Sequence, residues 1–372
     1  MTESYLMKII INAYQYSPSI TGTDRMASNF LRELQKIDTT NTYYIVCSSE
    51  QYIQPIITAS NFTVLQPKHF LPGSFTKRVV NKLWRTLLPW YLSRFKADVY
   101  FSFHNMRLPH RRVATQMIAS NLDLIPLKFD EYKNLSPGQV EEIKQTAQTA
   151  DAFMSISEYS KQELCSTLAV DPKKVHVIHL AADPLFDGKP HPASFDLPPS
   201  FIFTIGGSEP RKNVDTIAKA FAQLPPALQK SYPLLIVGGS WHDRPLDPLR
   251  LSPHIQTLGY VSDTDLASLY AHTTAFIFAS QYEGFGFTLL EAMAYGAPVL
   301  SATGSSLDEV AGTATLSFEP NDADSLATFL QDVLTKPAIR KNLQAASRKQ
   351  AQEFSWAKSA KQLHSLLTGM IG

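Results

Sequence analysis

The chain has 372 residues, 44% hydrophobic and 18% charged, with 34 basic and 33 acidic side chains for a net charge of +1. That length exceeds one small core and suits two domains of roughly 150–190 residues each, and the composition excludes a disordered chain. The balanced charge excludes a globally basic nucleic-acid binder.

The opening, MTESYLMKIIINAYQ, holds an apolar run too short for a signal peptide. No stretch reaches the roughly 18 apolar residues that span a bilayer. Cys47 and Cys165 lie far apart, fit no metal-ligand pattern and read as reduced thiols. A cytoplasmic location is expected.

Runs rich in β-branched and aromatic residues alternate with helical patterns along the whole chain. Strands are predicted at 8–14, 43–48, 98–103, 113–120, 152–157 and 174–180, then at 201–207, 233–239, 255–261, 275–280 and 298–302. Most are continuously apolar, as parallel strands buried on both faces must be. Helical patterns such as DRMASNFLRELQKI, EYSKQELCSTL and TDLASLYAHT lie between them. The alternation predicts an α/β chain of doubly wound parallel sheets. The junction falls in Ala181–Ser200, a stretch with five prolines, after which the strand pattern restarts at Phe201. Two Rossmann-like domains facing each other across a cleft are expected, with ligands beyond the carboxyl ends of their strands.

Three loops of the second half follow strands in that way. In TIGGSEPRKN, Gly206 and Gly207 end a strand, and Arg211 and Lys212 precede a helix expected from about Asn213. Cations at a helix start oppose its dipole unless an anion intervenes, so this pair reads as a diphosphate clamp rather than a solvated basic turn. In QYEGFGFTLLEAMAYGAPV, Glu283 precedes Gly284, Phe285 and Gly286, and a helix begins near Phe287. The amides of that first turn, Phe287 and Thr288 among them, form an anion seat. Glu291 lies one turn inside, within reach of a sugar hydroxyl attached to the anion, and Glu283 lies on the opposite flank. In LIVGGSW and LGYVSD, Gly238 and Tyr260 suit either a flat base or tight-turn chemistry.

The stretches EPRKN, YEGFG…LEAMAYGAPV and GSSLDEVAG resemble the nucleotide-sugar half of a family 4 glycosyltransferase, a retaining, mannosyltransferase-like group with the GT-B fold. The two acids match its Glu-x7-Glu motif, and NLDLIPL, SISEYSKQEL, VIHLAADPLF and EFSWAKSA extend the likeness over nearly the whole chain. The resemblance implies an acceptor-binding domain over 1–182, a nucleotide-sugar domain over 183–354, and a last helix within 355–372 that returns to the first domain. It implies that Arg211 and Lys212 hold the donor diphosphate, that Glu291 binds the ribose and that Glu283 faces the donor sugar. It further implies a GDP- or UDP-linked hexose donor, mannose first, and a glycan or lipid-linked acceptor of bacterial surface polysaccharide. No metal or other cofactor is called for.

Two departures stand out. The family often carries a His-Asp pair where this chain has Leu122-Asp123, which leaves Asp123 to serve near the sugar or to cap a turn. Nearby, His104 and Asn105 are candidates for sugar contact. The glycine-rich first loop keeps Gly22, whose amide suits a phosphate, but sets Asp24 close by, where it repels one unless turned away. Phe75–Ala97 has six basic residues, two tryptophans and no acid, interrupted by Pro89. It reads as a peripheral membrane contact or as a core-facing helix with a basic outer side. The competing functions are a non-catalytic nucleotide-sugar scaffold, for which Leu122 and Asp24 speak, and an epimerase or phosphorylase of the same fold.

Overall fold

A computed structural model describes residues 5–13, 21–47, 53–66, 87–135, 138–189, 191–242 and 251–370. The chain divides into two compact units, Met1–Leu180 with Trp356–Gly372, and Ala181–Ser355. Among the described residues, no helix is long and apolar enough to cross a membrane.

The first unit holds a seven-stranded sheet. Its strands are β1 (Lys8–Asn12), β2 (Thr42–Val46), β3 (Phe62–Leu65), β4 (Ala97–Asn105), β5 (Ala114–Asn121), β6 (Ala152–Ser155) and β7 (Val175–Val177). They lie in the order β3-β2-β1-β4-β5-β6-β7, and every pair is parallel. The central strands are apolar because both faces are covered: Ile9, Ile10 and Ile11 are all fully buried.

The second unit repeats the plan with six parallel strands. These are β8 (Ile202–Ile205), β9 (Leu234–Val237), β10 (Ile255–Gly259), β11 (Ala275–Phe278), β12 (Val299–Ala302) and β13 (Leu316–Phe318), in the order β10-β9-β8-β11-β12-β13. In each sheet the winding direction reverses once, between β1 and β4 and between β8 and β11. Loops leaving the two strands at such a point diverge and open a crevice at their carboxyl ends. Pairing of Phe276 with Phe203 and of Ile277 with Thr204 sets the ends of β8 and β11 side by side.

β3 and β13 escape the sequence reading. Each is a three- or four-residue edge strand with partly exposed positions, so neither shows the continuous apolar run of a central strand. Strand β4 also runs further than expected, to Asn105, which places His104 and Asn105 on the strand end rather than in a turn after it. Pro89 lies inside a helical stretch, 87–93. The rest of the Phe75–Ala97 expectation, 75–86, lies outside the described residues.

The helices that bear on ligand chemistry are α1 (Gly22–Ile37), α2 (Glu158–Leu168), α3 (Val214–Ala222), α4 (Asp263–His272), α5 (Phe287–Ala294), α6 (Ser306–Ala311) and, last, α7 (Trp356–Gly369). α7 packs on α1 within the first unit. Trp356 is buried and meets Phe30 edge to face with ring centroids 5.3 Å apart. Ser359 Oγ donates to the His179 carbonyl at 2.5 Å, and His364 Nε2 lies 2.9 Å from the buried Asp38 carboxylate. Truncating a buried tryptophan removes both its transfer energy and its packing partners. Trp356→Ala should therefore destabilise the first unit by about 3–5 kcal/mol, read as a fall in the urea unfolding midpoint.

Candidate functional site

The strongest cluster of charge-bearing groups among those expected from the sequence forms where β8 and β11 end. After β8 the chain turns through Gly206 and Gly207, and Gly207 adopts a left-handed φ of +55°. A Cβ there would stand 2.1 Å from the Gly239 carbonyl oxygen, so only glycine lets the β8 and β9 loops close on each other. Gly238 completes the junction by donating its N–H to the Gly259 carbonyl at 2.7 Å. Tyr260 is 88% exposed, and its ring lies over Gly239. Three post-strand loops thus meet through backbone contact, with one aromatic ring open to solvent.

Arg211 and Lys212 immediately precede α3, whose N-cap is Asn213, as the spacing predicts. They occupy a separate 3-10 turn, Pro210–Lys212, and Asn213 breaks away from it at a φ of +55° before the helix begins. The cause is local: Pro210 suits the first position of a new turn, and asparagine tolerates the left-handed conformation that ends it. The neighbours that balance these cations are carboxylates. Arg211 donates from Nε and NH2 to Glu209 Oε1 at 3.0 and 2.8 Å. Its NH1 lies 2.6 Å from the Tyr282 carbonyl and 2.7 Å from Glu283 Oε1. Lys212 Nζ also reaches Glu283 Oε1 at 2.7 Å and sits over the Phe278 ring.

Glu283 therefore shares one flank with the basic pair. Burial alone would raise its carboxyl pKa. The Lys212 ammonium and then the Arg211 guanidinium, with hydrogen bonds from Lys212 and Ser280, outweigh that and hold it down at about 2. Ser280 Oγ donates to Glu283 Oε1 at 2.7 Å.

The loop that carries Glu283 is pinned from below by α6. Ser306 Oγ lies 2.8 Å from the Glu283 carbonyl oxygen and 3.0 Å from that of Phe285. Gly286 takes a φ of +110°, and a Cβ there would meet Leu307 at 2.8 Å. Gly284 is buried in the same loop. The Phe285 ring is buried against Phe354, which leaves only the backbone of Phe285 to serve a ligand. As N-cap of α5, Gly286 brings no capping side chain to the first turn, where Phe287 and Thr288 stand. Glu291 lies one turn further and is buried rather than solvated, with Tyr270 Oη donating to its Oε2 at 3.3 Å. The structure thus gathers Arg211, Lys212 and Glu283 into one contact and places Glu291 a turn beyond them on α5.

Candidates in the first unit sit at strand ends around its own reversal point. Asp123 caps a turn, its Oδ1 accepting from Ile125 N at 3.1 Å. Asn105 ties that turn to β4, accepting from Leu122 N at 2.9 Å and donating to the Asp123 carbonyl at 2.8 Å. His104 is buried, and burial followed by the nearby Arg107 charge lowers its pKa to about 4, so its ring is neutral over the ordinary pH range. Gly22 opens α1. Asp24 is turned back into the helix start, where its carboxylate accepts from Thr21 N and Thr21 Oγ1 at 3.0 and 2.6 Å.

Glu209, Tyr270, Ser280 and Ser306 were not singled out from the sequence. Each acts on a residue that was, from between 2 and 23 positions away. Only Glu209, inside EPRKN, and Ser306, inside GSSLDEVAG, lay in stretches the resemblance had marked.

The linkage at Glu283 has a definite sign. Its folded pKa lies below the ordinary 4.5, so its contribution to stability is fully present above that value and is lost as pH falls toward about 2. The stability gap between the wild type and Glu283→Gln should narrow steadily below about pH 5, by about 3 kcal/mol in total. Urea titrations of both proteins across that range check it.

Residues 190–350 match the family model described as glycosyl transferases group 1. The O-antigen chain mannosyltransferase B of Escherichia coli is 30% identical over 283 residues, covering 72% of this chain and 73% of that protein. Sucrose-phosphate synthase of Thermosynechococcus elongatus superposes with a TM-score of 0.71 at 18% identity, over 98% of this chain and 99% of the other. Anabaena HepE in complex with UDP and glucose gives 0.70 at 15% identity, over 97% and 99%. At such identities the structural likeness carries the fold alone, and that fold is GT-B.

Proposed function

The chain belongs to the group 1 glycosyltransferases, and from that premise we propose that it transfers a mannosyl residue from GDP-mannose to a growing bacterial surface polysaccharide. The carrying observation is the Lys212–Glu283 contact of 2.7 Å at the reversal point of the second sheet, one short loop before α5. A diphosphate bound there meets the Lys212 ammonium and the amides of the first turn of α5, with the Arg211 charge behind them. Those groups stabilise the negative charge that builds on the leaving diphosphate as the sugar–phosphate bond breaks. Glu283 meets the sugar, Glu291 the ribose, and the exposed Tyr260 ring offers the base a face. Transfer proceeds with retention, the leaving phosphate taking the acceptor proton, and without a metal.

The sugar and acceptor classes rest on the likeness to the E. coli O-antigen enzyme. Asp123 and Gly22 enter from the resemblance, on the first unit. Peripheral contact with a membrane through 75–97 completes the reading. Its support is that Leu87 and Trp90 are 44% and 53% exposed, with the Arg94 guanidinium 3.9 Å from the Trp90 ring centroid.

GDP in excess should raise the wild-type melting temperature by mass action. Lys212→Ala should remove that shift, and mannosyl transfer should fall at least a hundredfold, on the scale of losing one charge-stabilising donor. Thermal-shift titration with GDP and UDP and a radiolabelled GDP-mannose transfer assay read both. A shift with UDP in place of GDP would move the donor assignment, and a full shift in Lys212→Ala would remove this residue from the phosphate site.

A further inference from the structure

Glu283 Oε1 is crowded in a particular way. Lys212 Nζ, Arg211 NH1 and Ser280 Oγ each lie 2.7 Å from this one oxygen. Among the described residues, no hydrogen bond reaches the other oxygen, Oε2, although the Glu283 side chain is only 14% exposed. A carboxylate oxygen held by two hydrogen bonds, from Lys212 and Ser280, and by the Arg211 ion pair cannot rotate without losing them, so its second oxygen is fixed in direction.

Arg211 is correspondingly spent on the protein. Nε and NH2 go to Glu209, NH1 goes to Tyr282 and Glu283, and the Arg211 carbonyl accepts from Gln281 N at 2.9 Å. Its side chain is 9% exposed. Lys212 differs: it spends one bond on Glu283, and an ammonium has three to give.

Resting on the donor-site reading above, we propose that Arg211 and Ser280 are positioning residues that clamp Glu283 Oε1, so that Oε2 accepts a hydroxyl of the donor sugar. Arg211 acts through Glu283 and the Tyr282–Glu283 turn and does not touch the diphosphate. Glu209 holds the guanidinium in the orientation this requires. Phosphate contact at this cluster falls to Lys212 and the α5 amides.

The two roles separate in one set of measurements. GDP, which lacks the sugar, probes the phosphate site, and turnover of GDP-mannose probes Glu283. Arg211→Gln should lower kcat more than tenfold while changing the Kd for GDP less than threefold. Lys212→Ala should weaken GDP at least tenfold. Ser280→Ala, a small change that keeps the ion pairs, should lower kcat about threefold to tenfold with the Kd for GDP unchanged. It carries the test if Arg211→Gln does not fold, with thermal melts as the check. Glu209→Gln, which keeps an acceptor oxygen for the guanidinium, should retain more kcat than Glu209→Ala.

A tenfold loss of GDP affinity in Arg211→Gln would make Arg211 a phosphate ligand and overturn the proposal. An unchanged kcat in Arg211→Gln or Ser280→Ala would overturn it as well. Amide deuterium exchange over 280–286 in the protein without ligand gives an independent reading. It should quicken in Arg211→Gln, and unchanged exchange would also overturn the proposal. A wild type that binds neither GDP nor UDP sinks the donor assignment instead, and the exchange result then decides whether Arg211 holds the loop.

Discussion

A carboxylate shared between two cations organises the second unit. Glu283, Arg211 and Lys212 meet because β8 and β11 are neighbours across the reversal of winding, although 71 residues separate Lys212 from Glu283. Taken singly, each charge in so enclosed a position would suffer a desolvation penalty of several kcal/mol. Held together with Glu209, the two cations and two carboxylates balance, and the penalty is offset before any ligand arrives. The surrounding backbone is arranged to keep them there. Gly207 closes the β8 loop on the β9 loop, and Ser306 holds the Glu283 carbonyl from below.

That balance bears on how the proposed donor diphosphate would be bound. An unpaired pair of cations would attract any polyanion, whereas a neutralised cluster selects for a ligand that brings both charge and shape. A diphosphate supplies the charge and meets helix amides that a simple ion in solution would not fully engage. A sugar attached to it supplies hydroxyls for the carboxylate. On the proposed donor site the diphosphate takes the spare Lys212 bonds and the α5 amides while the Arg211–Glu283 contact stays in place, which is the condition under which fixed dipoles and charges lower a barrier most.

How much of this the sequence discloses depends on the range of the interaction. Central strands follow from continuous apolar runs, since burial on both faces leaves no other composition, whereas their order in each sheet comes from the structure. Edge strands β3 and β13 follow no such rule and were invisible. Helix ends marked by glycine were legible: Gly286 stands where the Gly-rich loop predicted, and Gly296 follows the end of α5 at a φ of +70°. The orientation of Arg211 was not legible, because a 3-10 turn with Asn213 in the left-handed region cannot be told from a helix start by residue spacing. Nor was the pairing of Glu283, since EPRKN and YEGFG each suggest a ligand, and only the fold reveals that they bind each other.

The two units share one topology around their reversal points yet furnish them differently. The second places four formal charges between its two central strand ends. The first, at the ends of β4, β5 and β6, sets out chiefly neutral hydrogen-bonding groups, His104 held uncharged, Asn105, Asn121 and Ser155, beside the Asp123 carboxylate on the turn after β5. Asn121 Nδ2 donates to Ser155 Oγ at 3.1 Å and to the Ser160 carbonyl at 2.8 Å, which ties β5 to β6 and to the start of α2. The cations and helix amides of the second unit suit a phosphate, and the carboxylates beside them suit sugar hydroxyls. A neutral amide and imidazole set also suits hydroxyls. On the proposed function, the same fold used twice in one chain gives one sheet end the charge that a diphosphate needs and the other chiefly neutral hydrogen-bonding groups.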